Sequence, residues 1–196
     1  MTLWATPAAQ LQDLLDGANS GDRLRRKALI GLVQRHLTGL TRRCFDRDVL
    51  GAGPDSQPMR RLASSLKRTI RQDHPATVRE FFGLAARHVR QTLIDLADDC
   101  CPSSTGLHSD TSSSSGQDTA VAVSNRPVTA AEWQLFHAAV DGLPDSEHEV
   151  FCLVWYAGLS ENSVAEALSL SEAAVRQRLQ SARLRLASIL EEVRST

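Results

Sequence analysis

The side chains of this chain best suited to chemistry with a partner stand together near its end, in "SEAAVRQRLQSARLR" from Ser171 to Arg185. Arg176, Arg178, Arg183 and Arg185 alternate there with Gln177 and Gln180. Arginine and glutamine reach base edges in a major groove, and arginine also neutralises phosphate. Ala173 can only touch a base methyl or leave space. Val175, Leu179, Ala182, Leu186, Ile189 and Val193 recur at helical spacing and are expected to turn inward. Glu172, Ala173, Arg176, Gln177 and Gln180 then share the outer face, and Arg178, Arg183 and Arg185 suit phosphate or a partner protein.

Such a helix needs elements to hold it. A short helix over 160–168 precedes it, with Ala165 and Leu168 placed to pack on Leu170 and Val175. The hydroxyl of Ser171 suits the N-cap. Ser169 occupies the turn, where one residue must go left-handed. Glycine does so freely, and serine costs roughly 1 kcal/mol. Two helices joined this way, the second entering the major groove, define a helix-turn-helix. The competing reading is an ordinary helical hairpin with a solvated basic face.

The rest of the chain is also helical in pattern. Apolar stripes run through Leu11, Leu14, Leu15 and Ala18, through Leu29, Leu32, Val33, His36, Leu37 and Leu40, and through Met59, Leu62, Ala63, Leu66 and Ile70. Thr77 and Glu80 form a capping box ahead of a helix whose apolar face runs from Val78 to Leu96; Phe81 and Phe82 on it are read as core. Residues 98–129 are rich in Ser, Thr, Asp and Gly and read as a flexible linker. Trp133, Phe136, Val140 and Leu143 then line one helix, and Ser146 with Glu149 is expected to cap the next, which Gly158 stops. The fold class is all-α, with helical domains over 8–97 and 130–194 joined by that linker.

The net charge of −1 hides an asymmetry: residues 22–90 hold 16 Lys/Arg against 6 Asp/Glu, and residues 131–170 hold 7 Asp/Glu and no Lys or Arg. Separate surfaces for separate partners produce this pattern, as do solvated helix faces. No stretch is long and apolar enough for a membrane span, and "MTLWATPAAQ" lacks the pattern of a secretory signal, so a cytoplasmic location is expected. The four cysteines show no metal or disulfide spacing and are read as free thiols. Cys100, Cys101 and His108 cluster without structural zinc-site spacing. Phosphate-cradling, dinucleotide and H-E-x-x-H motifs are missing, so no catalytic residue, metal or cofactor is expected.

Two parts of the chain carry a family resemblance. "LPDSEHEVFCLVWYAGLSENSVAEALSLSEAAVRQRLQSARLRL" resembles the promoter-binding C-terminal domain of extracytoplasmic-function (ECF) sigma factors. "GDRLRRKALIGLVQRHLTGLTRRC" and "HPATVREFFGLAARHVRQTLIDLA" resemble their N-terminal domain. The resemblance implies a monomer that joins the RNA polymerase core and directs it to promoter DNA, under an anti-sigma partner. It implies −35 contacts from Ser171, Glu172, Ala173, Arg176, Gln177 and Gln180, flanked by Arg178 and Arg183. It implies −10 contacts from Arg79, Arg87, His88 and Arg90, and polymerase docking around Asp55, Arg60 and Arg61. The family's acidic docking patch is replaced here by "DSQPMRRLASSLKRTI", and its basic and aromatic −10 residues by "ADDCCPSST". Two other readings stay open: a stand-alone helix-turn-helix regulator, and a degenerate sigma paralogue that titrates an anti-sigma partner.

Overall fold

A computed structural model describes residues 7–44, 57–100 and 130–194. Eight α-helices fill them: α1 (Ala8–Asn19), α2 (Arg23–Cys44), α3 (Gln57–Gln72), α4 (Val78–Cys100), α5 (Ala130–Asp141), α6 (Asp145–Phe151), α7 (Glu161–Leu168) and α8 (Glu172–Arg194). A π-helical turn, Cys152–Tyr156, continues α6. Among the described residues there is no strand. The all-helical expectation therefore holds. Asp55 and residues 101–129 lie outside the described residues, whereas 98–100, assigned to the linker from sequence, are the last turn of α4.

The stripes read from sequence are the buried faces. Leu11, Leu15 and Ala18 of α1, Met59, Leu62, Leu66 and Ile70 of α3, and Phe81, Phe82, Ala85, Val89 and Leu93 of α4 are buried. The two phenyl rings meet edge to face at 5.0 Å, as core rings do. At the start of α4 the Thr77 hydroxyl accepts from the Glu80 amide (3.2 Å). The Glu80 carboxylate reaches back to the Ala76 amide (2.8 Å), so both ends of the expected box find partners.

The box expected at Ser146 does not form. Pro144 is the N-cap of α6, and its carbonyl accepts from the Glu147 and His148 amides, both at 2.8 Å. Its ring fixes φ at −54°, and with Pro144 as N-cap, Ser146 is already the second residue of the helix and cannot cap it. Glu149 turns instead to Arg79. The helix then widens: the Ala157 amide bonds the Cys152 carbonyl at 3.0 Å, five residues back. Gly158, at φ +80°, ends it as expected.

The two helical sets meet along α4, which packs on α5, the π-turn and α7, while α1 reaches α7. Their buried residues form one continuous core. Polar contacts cross the same junction. The His36 ring pairs through Nε2 with the Trp155 carbonyl at 2.8 Å, and the Ala8 amide donates to Glu166 Oε2 at 3.0 Å. A Cβ on Gly158 would overlap the His36 imidazole, so only glycine permits this approach.

Candidate nucleic-acid interface

The end of α7 sets the direction of α8. Ser160 caps α7, accepting from the Ser163 amide at 3.1 Å. Ser169 takes the left-handed conformation, φ 55° and ψ 43°, that its place in the turn demanded. The Leu170 amide bonds the Ala165 carbonyl (2.9 Å) and the Ser169 amide the Glu166 carbonyl (3.3 Å). This is the paired bonding of a Schellman ending, which satisfies carbonyls the helix leaves open. Ser171 then caps α8, its hydroxyl accepting from the Ala174 amide at 3.2 Å.

Val175, Leu179, Ala182 and Leu186 are buried against the core that holds Val164 and Ala165. One sequence expectation fails here. Ile189 is 39% exposed and Leu190 is buried in its place, because steps of four residues carry the buried stripe past position 189. Ser171, Glu172, Ala173, Arg176, Gln177, Gln180 and Arg183 are all exposed. At 3.6 residues per turn, the six from Glu172 onward fall within an arc of about 140°. Arg178 is half-buried and sits on the opposite flank with Arg185.

Two of these cations hold the module together. Arg176 Nε lies 3.3 Å from Glu161 Oε2 and its Nη2 4.0 Å from Glu172 Oε2, so one guanidinium bridges α7 and α8. The pairs are exposed and cost little to break for a phosphate or a base. Arg185 is held more firmly. Its Nε is 3.1 Å from Glu147 Oε2, a charge contact rather than an aligned hydrogen bond, and the Ser181 hydroxyl donates to Glu147 Oε1 at 2.9 Å. Arg185 thus pins α8 to α6. Sequence grouped it with the phosphate candidates because spacing does not reveal an acid on another helix.

The four −10 candidates on α4 do not form one open surface. Arg79 Nε pairs with Glu149 Oε1 of α6 at 2.6 Å. Arg90 grips both carboxylate oxygens of Asp141 on α5, with Nη2 to Oδ2 at 2.6 Å, and also donates to the His137 carbonyl at 3.3 Å. The hydrogen bond to Asp141 raises the Arg90 pKa further. His88 Nε2 meets the Thr69 hydroxyl at 3.0 Å, and burial followed by the nearby Arg68 charge lowers its pKa, with Asp73 opposing. Arg87 is exposed. Arg60 and Arg61, the described docking candidates, are exposed on α3.

Between α4 and α6 an open cleft of about 1150 Å³ has Arg87, Arg90, Asp141, His148, Cys152 and Tyr156 in its wall. Sequence reasoning did not find it, because its two walls come from separate helical sets. Burial pushes the Cys152 thiol up to about 12, so the sulfur beside His148 Nε2 (3.5 Å) is a neutral thiol. No group of three or more metal-ligating side chains occurs among the described residues. No helix among them is long and apolar enough to cross a membrane.

A capped helix, a left-handed turn and a second capped helix with an outward Arg/Gln face define a helix-turn-helix of the nucleic-acid-binding class. Comparison with protein families gives a match over residues 139–188 to Sigma-70, region 4, and this stretch is a sigma-factor-like DNA-binding region. The match covers about a quarter of the chain, from the last turn of α5 into α8, and includes every arginine and glutamine of the α8 face described above. No curated protein and no solved structure matches the chain.

Proposed function

We propose that the chain is an ECF-type sigma factor, which binds the RNA polymerase core and directs it to promoters. The observation that carries this reading is the exposed face of α8, presented by Ser171 and the Ser169 turn within the region-4 match. Arg176, Gln177 and Gln180 contact base edges of the −35 element, with Ser171, Glu172 and Ala173 beside them. Arg183 neutralises phosphate, and Arg178 flanks it from the far side of the helix. The N-terminal helices supply the polymerase and −10 contacts, with Arg87 the residue already free to meet DNA and Arg79 and Arg90 released when the halves part. The protein acts in the cytoplasm, has no catalytic chemistry of its own, and answers to an anti-sigma partner.

The test is a labelled chain run with sigma-free core polymerase on gel filtration, followed by run-off transcription. A one-to-one complex that initiates at a defined promoter is expected. Arg176→Ala with Gln180→Ala should weaken binding to that promoter by roughly 30- to 10,000-fold, at about 1–3 kcal/mol for each of the two base contacts. DNA binding with no core complex at micromolar concentrations would replace this reading with that of a stand-alone regulator. That second reading is favoured by one feature, the cationic surface of α3 where the family it resembles carries an acidic docking patch.

A further inference from the structure

Helix α3 carries Arg60, Arg61, Lys67, Arg68 and Arg71 and no acid in its sixteen residues. All five are exposed, while Met59, Leu62, Leu66, Thr69 and Ile70 bury the opposite face. None of the five forms an ion pair among the described residues. At 100° per residue, Arg60, Lys67 and Arg71 form one line, and Arg61 and Arg68 a second beside it, all within an arc of about 120°. Ser64 lies between the lines. From Arg60 to Arg71 the strip is about 16 Å long. The neighbouring acid on α4, Asp95, already accepts from Gln91 at 2.9 Å.

We infer that this face of α3 is a second duplex-DNA surface, which holds the phosphate backbone without reading sequence. It goes beyond the proposed function, which gives the α3 cations no DNA contact, and replaces the docking role that the family resemblance implied for Arg60 and Arg61. Two physical features select nucleic acid over an acidic protein. A protein interface needs an apolar or aromatic centre within its polar rim. The α3 strip has none: the exposed large apolar residues among those described are Leu24, Leu135, Leu184 and Ile189, all on other helices. A protein–DNA interface is polar and strongly positive, and four of the five cations are arginines, whose planar fork fits phosphate oxygens. A 16 Å length of duplex carries about ten phosphate charges, enough to engage every cation of the strip.

The experiment is the salt dependence of full-chain binding to a labelled random-sequence duplex of about 30 base pairs. The triple variant Arg60→Gln, Lys67→Gln, Arg71→Gln removes one line of charge from solvent-exposed positions, and a matching thermal melt verifies its fold. Each phosphate contact contributes about 0.9 to the slope of log K against log salt, so the slope should fall by about 2 to 3. The charge-preserving Arg60→Lys, Arg71→Lys variant should keep the parent slope. An unchanged slope in the triple variant overturns the inference. An unchanged slope together with loss of the core-polymerase complex overturns it in favour of an acidic protein partner. Arg176→Gln with Arg183→Gln probes α8 separately. If it has no effect on binding to the promoter identified by run-off transcription while the α3 variant still lowers the slope on the random duplex, the proposed region-4 contact fails and the α3 surface stands.

Discussion

His137 is packed among Trp133, Phe136 and Tyr156, 1% exposed, with Nδ1 2.6 Å from the tyrosine hydroxyl. Its Nε2 is buried with no hydrogen-bond partner among the described residues. A second proton there would sit in an apolar wall near the Arg90 guanidinium, and burial, then Arg90, lowers its pKa to about 4 against a nearby Asp141. The folded state therefore resists a proton that the unfolded chain takes up near 6.5. Stability from His137 is complete above pH 6.5 and falls as pH drops towards 4, with a ceiling of about 3 kcal/mol at about 1.4 kcal/mol per pKa unit. His88 pulls in the same direction. Urea unfolding from pH 7 to 4 should show this slope, and His137→Gln, which does not titrate, should flatten most of it. Cys152 offers a second single-residue measurement. With its thiol held up to about 12, iodoacetamide at pH 8.5 should modify it about three orders of magnitude more slowly than a free thiol. The assay uses a background of Cys44→Ser, Cys100→Ser and Cys101→Ser, and denaturant should restore the fast rate.

At the scale of the element, the turn between α7 and α8 contains two serines with opposite effects. Ser169 pays a steric cost at φ 55°, and glycine there should stabilise the protein by roughly 0.5–1 kcal/mol. Ser171→Ala removes the acceptor of the Ala174 amide and should cost about 1 kcal/mol. Urea midpoints that move in opposite directions, with unchanged slopes, would verify both. These two positions were legible in the sequence because their demands are local: a hydroxyl ahead of a helix, a residue forced left-handed. Stripes such as Met59–Ile70 were legible for a related reason, since 3.6-residue spacing is a property of one helix. The cap of α6 was misread because Pro144 started the helix earlier than Ser146 could serve it. The exchange of Ile189 for Leu190 was missed because the direction in which a long helix meets its core depends on other helices. The π-turn at Cys152 has no sequence periodicity of its own.

At the scale of the molecule, the charge asymmetry was visible in sequence, and the structure gives part of it a use: Arg79 meets Glu149 and Arg90 meets Asp141 across the junction of the two helical sets. The shared core was not visible, because a stripe shows that a face is apolar without showing what covers it. The candidate −35 surface on α8 is exposed in this arrangement, with Arg176 alone of its cations paired among the described residues and only to acids of the same helix-turn-helix, whereas two of the four −10 candidates are occupied by acids of the other helical set. What holds the halves together therefore bears on function. Arg79 and Glu149 are 55% and 36% exposed, and such pairs contribute roughly 0–1 kcal/mol. The contact of Gly158 with the His36 ring is different, since it allows no side chain. Glu149→Gln should leave the radius of gyration by X-ray scattering unchanged. Gly158→Ala should raise it, through overlap with the imidazole across the junction and a strain of roughly 1 kcal/mol at φ +80°. Adding His36→Ala removes the overlap but not the strain. If the double variant regains the compact radius, the close approach of α2 to the π-turn sets the closed arrangement. If it stays expanded, either the strain left at position 158 or the lost His36 bond to the Trp155 carbonyl opens the junction, and His36→Ala alone, which keeps Gly158, separates the two.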